Sequence, residues 1–143
     1  MRIVLDANVF ISALMTRGRT CEQAMVQALQ TAQVVVPEQF IRDLYSFADQ
    51  ARKKGVRMNP DDFLAALHEL RLAGRLMVAP VRQVPNVSPH ETDNHYIGAA
   101  IEQKADLLLT GDRDLLRVRD EVLRGHGIRI VTPAEFLDRR PHD

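Results

Sequence analysis

Short, unbroken apolar runs alternate along the chain with longer stretches in which apolar residues recur every three or four positions. The runs fall at residues 2–5, 33–36, 75–79, 106–109 and 128–131. Ile3-Val4-Leu5, Val34-Val35-Val36 and Leu107-Leu108-Leu109 carry no polar interruption, the pattern of strands buried on both faces. The stretches between them predict helices near 8–15 and 20–31, from Pro37 to about Lys54, across 60–73, from about Asp93 onward, and briefly after Thr132. Local chemistry marks several starts. Asn59-Pro60-Asp61-Asp62 supplies a capping amide, a proline suited to the first helical position and two acids at the positive end of the helix dipole. Phe63, Leu67 and Leu70 then follow the spacing of a core-facing stripe. Strands alternating with helices predict an α/β fold: one domain over residues 1–143, with a mainly parallel sheet of about five strands between two helical layers.

Composition narrows the classes of function. The chain has 143 residues, 45% of them hydrophobic, and a formal net charge of +0 from 19 basic and 19 acidic residues. No global field draws it to nucleic acid, so any such binding must rest on a local patch. The one cysteine, Cys21, excludes an internal disulfide and a cysteine-based zinc site, and fits a reducing cytoplasm. No apolar run approaches the roughly 20 residues of a membrane span, and the expectation is a soluble, cytoplasmic protein.

Two of the apolar runs end on acids. The first leads into Asp6-Ala7-Asn8, and the fourth into Thr110-Gly111-Asp112. In a parallel sheet such strand ends share one edge, where ligands bind. Two further acids are candidates for the same edge. On a helix from Pro37, Phe40, Leu44, Phe47 and Ala51 share a sector, and Asp43 lies about 60° from its centre while Glu38 and Asp49 face away. Asp93, at the head of its helix, falls on the side of Tyr96, Ile97 and Ala100. Four carboxylates converging without a counter-charge would raise one another's pKa, and a divalent cation removes that conflict. Each acid also has a plain local role. Asp93 suits a helix start, Asp43 a solvated shoulder, Asp112 a turn after Gly111, and Asp114 a cap for the next helical turn.

The segments that carry these acids resemble the PIN-domain family of metal-dependent nucleases, which includes toxin ribonucleases of toxin–antitoxin pairs. The similarity runs through Ile3-Val4-Leu5-Asp6-Ala7-Asn8-Val9-Phe10-Ile11-Ser12 and the helix of Asp43. It continues through Asp93-Asn94-His95-Tyr96-Ile97-Gly98-Ala99-Ala100, Ala105-Asp106-Leu107-Leu108-Leu109-Thr110-Gly111-Asp112-Arg113-Asp114, and the closing Ile130-Val131-Thr132-Pro133-Ala134-Glu135-Phe136-Leu137. The resemblance places the family's acids on Asp6, Asp43, Asp93 and Asp112, with Asn8, Thr110 and Asp114 in supporting positions. It implies metal ligation by Asp6, Asp93 and Asp112, a Mg²⁺ or Mn²⁺ cofactor, hydrolysis of single-stranded RNA to 3′-hydroxyl and 5′-phosphate ends, a small antitoxin partner and a homodimer. Two positions depart from the family pattern: Asp43 stands where a glutamate is usual, and His90 where the toxin subgroup commonly has an aspartate.

Basic residues near the last acid, Arg113 and Arg117, are candidate phosphate contacts, with solvated helix faces as the default reading. His90 and His95 flank the Asp93 segment and read as exposed polar residues. Two other functions stand beside the nuclease. One is a catalytically degenerate module of the same fold that binds RNA or protein. The other is a phosphatase using Asp6 as nucleophile, against which stands Asn8 at the position where such enzymes carry a second aspartate.

Overall fold

In the computed structural model, which describes residues 1–15 and 19–138, all five apolar runs are strands. They are β1 (Arg2–Leu5), β2 (Gln33–Pro37), β3 (Leu76–Ala79), β4 (Leu107–Leu109) and β5 (Arg129–Val131). The strands lie in one sheet in the order β3-β2-β1-β4-β5, and every neighbouring pair is parallel. Ile3, Val4, Leu5, Val34, Val35, Val36, Leu108 and Leu109 are all 0% exposed, so the three inner strands are covered on both faces as their sequence requires.

The covering helices are α1 (Ala7–Leu14), α2 (Arg19–Thr31), α3 (Glu38–Lys53), α4 (Pro60–Leu72), α5 (Glu91–Glu102), α6 (Arg113–Arg117), α7 (Arg119–His126) and α8 (Pro133–Leu137). Their starts follow the local chemistry. The Asn59 side chain accepts from the Asp61 N–H at 3.0 Å at the head of α4. At α8, Thr132 accepts from the Glu135 N–H while the Glu135 carboxylate accepts from the Thr132 N–H, a reciprocal capping box. α3 buries Phe40, Leu44 and Ala48, with Phe47 half-buried and edge-on to Phe63 of α4, ring centroids 6.2 Å apart.

Two boundaries differ from expectation. α5 begins at Glu91, so Asp93 is the third residue of the helix rather than its first. The stretch after Asp112 folds into two helices, α6 and α7, where only a helical turn is expected. Its cap is Asp112, whose carboxylate accepts from the Asp114 N–H at 2.9 Å, and Asp114 lies inside the first turn instead of capping it. Gly127 ends α7 in the left-handed conformation at φ 72°, which relieves the last carbonyls without a Cβ clash. Among the described residues, no helix is long and apolar enough to cross a membrane.

Candidate functional site

Chain order runs outward from β1 to β2 and β3, then returns to the other side of β1 for β4 and β5. The reversal therefore lies between β1 and β4, the position where open α/β sheets leave a crevice beyond the strand ends. Register keeps the two strands level. Leu5 pairs with Leu109, and the Asp6 N–H donates to the Leu109 carbonyl at 3.0 Å. Asp6 and the Thr110–Asp112 turn are thus held side by side at the sheet's carboxyl edge.

Asp6 is buried at 4% exposure and caps α1. One oxygen accepts from the Asn8 N–H at 3.1 Å, and the other from the Thr110 hydroxyl at 2.6 Å. The Thr110 hydroxyl in turn accepts from the Asp112 N–H at 3.0 Å. One buried threonine therefore fixes the acid of one strand and the turn that carries the acid of the next. Asn8 takes part through its backbone, and its side chain is exposed.

The other acids arrive on helices. Asp93, 5% exposed, accepts from the Ser88 hydroxyl at 3.3 Å. The loop bearing Ser88 is locked by Asn94, whose amide oxygen accepts from the N–H groups of Val87 and Ser88 and whose amide nitrogen donates to the Ser88 carbonyl. Asp43, half-buried on α3, accepts from Gln39 Nε2 at 2.9 Å and from the Tyr96 hydroxyl at 2.6 Å. Asp114 is bound from two sides, by Arg117 at 3.0 Å and by His90 Nε2 at 3.2 Å.

Crowding perturbs these groups. The Asp6 carboxyl is raised from 3.8 to about 6, chiefly by burial, with the charges of Asp112 and Asp43 adding to the Thr110-opposed shift. Asp93 is raised from 3.8 to about 7, again chiefly by burial, then by the Asp112 charge and a shared hydrogen bond with it, with a further contribution from Asp6. The buried Tyr96 phenol is pushed well above its usual value by burial and by the charges of Asp6 and Asp43. Acids from four distant segments thus act on one another electrostatically.

Such a set suits a hard divalent cation. Ligand oxygens of Asp93, Asp112 and Asp114 lie within 4.8 Å of one another, the one such group of metal-binding side chains among the described residues. Asp6 adjoins this group through Thr110, and the Asp43 charge acts on Asp6. Arg113 and Arg117 lie on α6 with exposed side chains, and both line a groove of about 440 Å³ with Leu116, Arg119, Thr132 and Glu135. Sequence reasoning gave no role to Ser88 or Gln39, and placed Tyr96 only on a buried face. The Tyr96 contact could not be read from spacing, because its partner lies 53 residues away.

Comparisons with known proteins agree with this fold. A family model described as PIN domain matches residues 2–114. The chain is 25% identical over 142 residues to an uncharacterised protein of Methanocaldococcus jannaschii, covering 96% of this chain and 90% of that one. Its fold is similar to VapBC2 from Rickettsia felis, solved bound to a DNA fragment from their promoter, with TM-score 0.60, 11% identity, and 92% and 98% of the two chains covered. It is also similar to a domain of a functionally unknown protein from M. jannaschii, with TM-score 0.57, 20% identity and coverage of 92% and 89%. A third similar fold is that of the PIN domain endonuclease Utp24, with TM-score 0.51, 17% identity and coverage of 92% and 84%. With the family match running from β1 through the Asp112 turn into α6, the chain belongs to the PIN-domain family.

Proposed function

We propose that this protein is a metal-dependent endoribonuclease, a single PIN-like domain that hydrolyses phosphodiester bonds of single-stranded RNA as the toxin of a toxin–antitoxin pair. One observation carries the reading. Carboxylates from four segments act on one another electrostatically, and two of them, Asp6 and Asp93, are raised to about 6 and about 7 by burial and by their neighbours' charges. Buried like charges are costly, and a fold that retains them has a use for a counter-charge. The oxygen-only donor set favours Mg²⁺ or Mn²⁺ over softer metals.

Asp93 and Asp112 would hold the cation, with Asp6 and Asp114 beside them completing the oxygen set. When bound, the cation supplies an activated water and neutralises charge on the attacked phosphate. The chain's own residues prepare that step. Thr110 and the Asn8 N–H orient Asp6, and Ser88 orients Asp93. Asp43 would accept a hydrogen bond from that water and align it. Exposed Arg113 contacts the phosphate backbone, which positions the strand without reading its bases. The likeness to VapBC2 supports the toxin assignment and a small antitoxin partner, and the name of Utp24 supports endonuclease chemistry. The same resemblance extends the proposal to a cytoplasmic homodimer.

The test is incubation of the purified protein with single-stranded RNA in Mg²⁺ or Mn²⁺. The proposal expects fragments with 5′-phosphate and 3′-hydroxyl ends, their loss in EDTA, and their loss in Asp112→Asn. RNA binding without cleavage would instead favour the binding module, and a phosphorylated Asp6 would favour the phosphatase.

A further inference from the structure

Tyr96 has a place in the site that its apolar surroundings conceal. It lies one turn after Asp93 on α5 and is 2% exposed. Its hydroxyl donates to Asp43 at 2.6 Å and accepts from the Ala7 N–H at 3.4 Å. Ala7 follows Asp6 directly and opens α1. One phenol oxygen therefore joins three elements that each deliver an acid: α3 with Asp43, α5 with Asp93, and the β1–α1 junction with Asp6. A short phenol–carboxylate bond is charge-assisted and directional, stronger than a neutral pair.

Asp43 needs such a bond. An aspartate is about 1.5 Å, one carbon–carbon bond, shorter than a glutamate at the same backbone position. Its carboxylate is gripped from both sides, by Gln39 one turn earlier on its own helix and by Tyr96 from the facing helix. Gln39 is itself braced, its amide oxygen accepting from Arg42 Nε at 3.0 Å. We propose that Tyr96 is a positioning residue of this site, its hydroxyl tying Asp43 to the start of α1 so that a short acid reaches the crevice through a hydrogen-bonded bridge rather than through chain length. The inference rests on the ribonuclease reading above.

The test is a double-mutant cycle on the full chain: Tyr96→Phe, Asp43→Glu, and the two combined. Phenylalanine keeps the ring that fills the buried space, so the ion-free fold should persist by far-UV circular dichroism. Three quantities are read: kcat, KM for a single-stranded RNA, and the Mn²⁺-induced rise in Tm. Tyr96→Phe should lower kcat about 10-fold or more with KM unchanged, because the lost bond orients an acid that aligns the attacking water rather than one that binds the strand. Asp43→Glu alone meets the phenol and should lose activity too. In the combined variant the longer acid enters the space the hydroxyl vacates, and most of the loss should be recovered. Wild-type kcat in Tyr96→Phe, or a combined loss equal to the product of the single losses, overturns the inference while leaving the ribonuclease reading intact. A wild-type protein that neither cleaves RNA nor gains Tm in Mn²⁺ overturns both.

Discussion

Replacing Asp93 by asparagine should make the ion-free protein more stable and the ion-bound protein less so. Asp93 is 5% exposed, and its carboxyl is raised from 3.8 to about 7 by burial first and by Asp112 second. Because the folded pKa exceeds the unfolded one, the folded state keeps the proton longer, and this group destabilises the fold progressively as pH rises from about 4 to about 7. At about 1.36 kcal/mol per unit, the full cost at pH 8 is about 4 kcal/mol. An asparagine still buries a polar side chain where the carboxyl stood, so the replacement should recover only roughly half of that cost, about 2 kcal/mol. The replacement amide keeps an oxygen for the Ser88 hydroxyl and gains an N–H facing Asp112. For a chain of this size the gain corresponds to a Tm increase of about 6 °C. Thermal melts at pH 5 and pH 8, in EDTA and in Mn²⁺, provide the assay. In EDTA the variant should melt above wild type at pH 8, with the gap narrowing to less than half at pH 5, where folded Asp93 already holds its proton. An ion at 100 times its Kd adds about 2.7 kcal/mol to a protein that binds it, so in Mn²⁺ the ranking should reverse. A variant that melts below wild type in EDTA at pH 8 would refute the reasoning, as would a wild-type Tm indifferent to Mn²⁺.

Other perturbations test other parts of the structure. Thr110→Val removes the hydroxyl that donates to Asp6 at 2.6 Å and accepts from the Asp112 N–H at 3.0 Å. It should cost about 1–3 kcal/mol in urea unfolding and lower cleavage about 10–100-fold, and a variant with wild-type values in both would contradict the geometry. Gly98→Ala places a Cβ 2.8 Å from Val81 Cγ1 and 3.0 Å from Pro85 Cδ, where α5 meets the segment after β3. Its expected cost is about 1–3 kcal/mol by chemical denaturation, with no loss if that segment yields freely. Arg113→Ala should reduce the slope of log K against log salt for RNA binding by about 1, uniformly across RNA sequences, and a sequence-selective loss would mean that Arg113 reads bases.

The sheet was legible because its strands are apolar on both faces and polar at their ends. Three consecutive aliphatic residues followed by an acid give both the strand and the edge of the sheet at which it delivers that acid. The helix of Asp43 was legible from its wheel, since Phe40 and Leu44 fix the buried direction and so the side of the crevice. α6 and α7 were not, because five and eight residues are too few for a periodic stripe to stand out and Asp112 serves both as cap and as candidate ligand. The bonds that organise the site join residues far apart in the chain, with 104 positions between Asp6 and Thr110 and 53 between Asp43 and Tyr96. Side-chain pairings of that range leave no local pattern. By its position alone Asp114 reads as a cap, and only the family resemblance put it among the supporting residues; its oxygen lies with those of Asp93 and Asp112.

The most direct measurement is calorimetric titration of the ion-free protein with Mn²⁺ at pH 6 in buffers of different ionisation enthalpy. Asp6 and Asp93, raised to about 6 and about 7, hold protons there that an incoming cation must displace. Saturable binding with net proton release is the expected result, diminished in Asp112→Asn at unchanged fold. Absence of binding, or binding without proton release, would contradict the convergence of these carboxylates on one divalent ion.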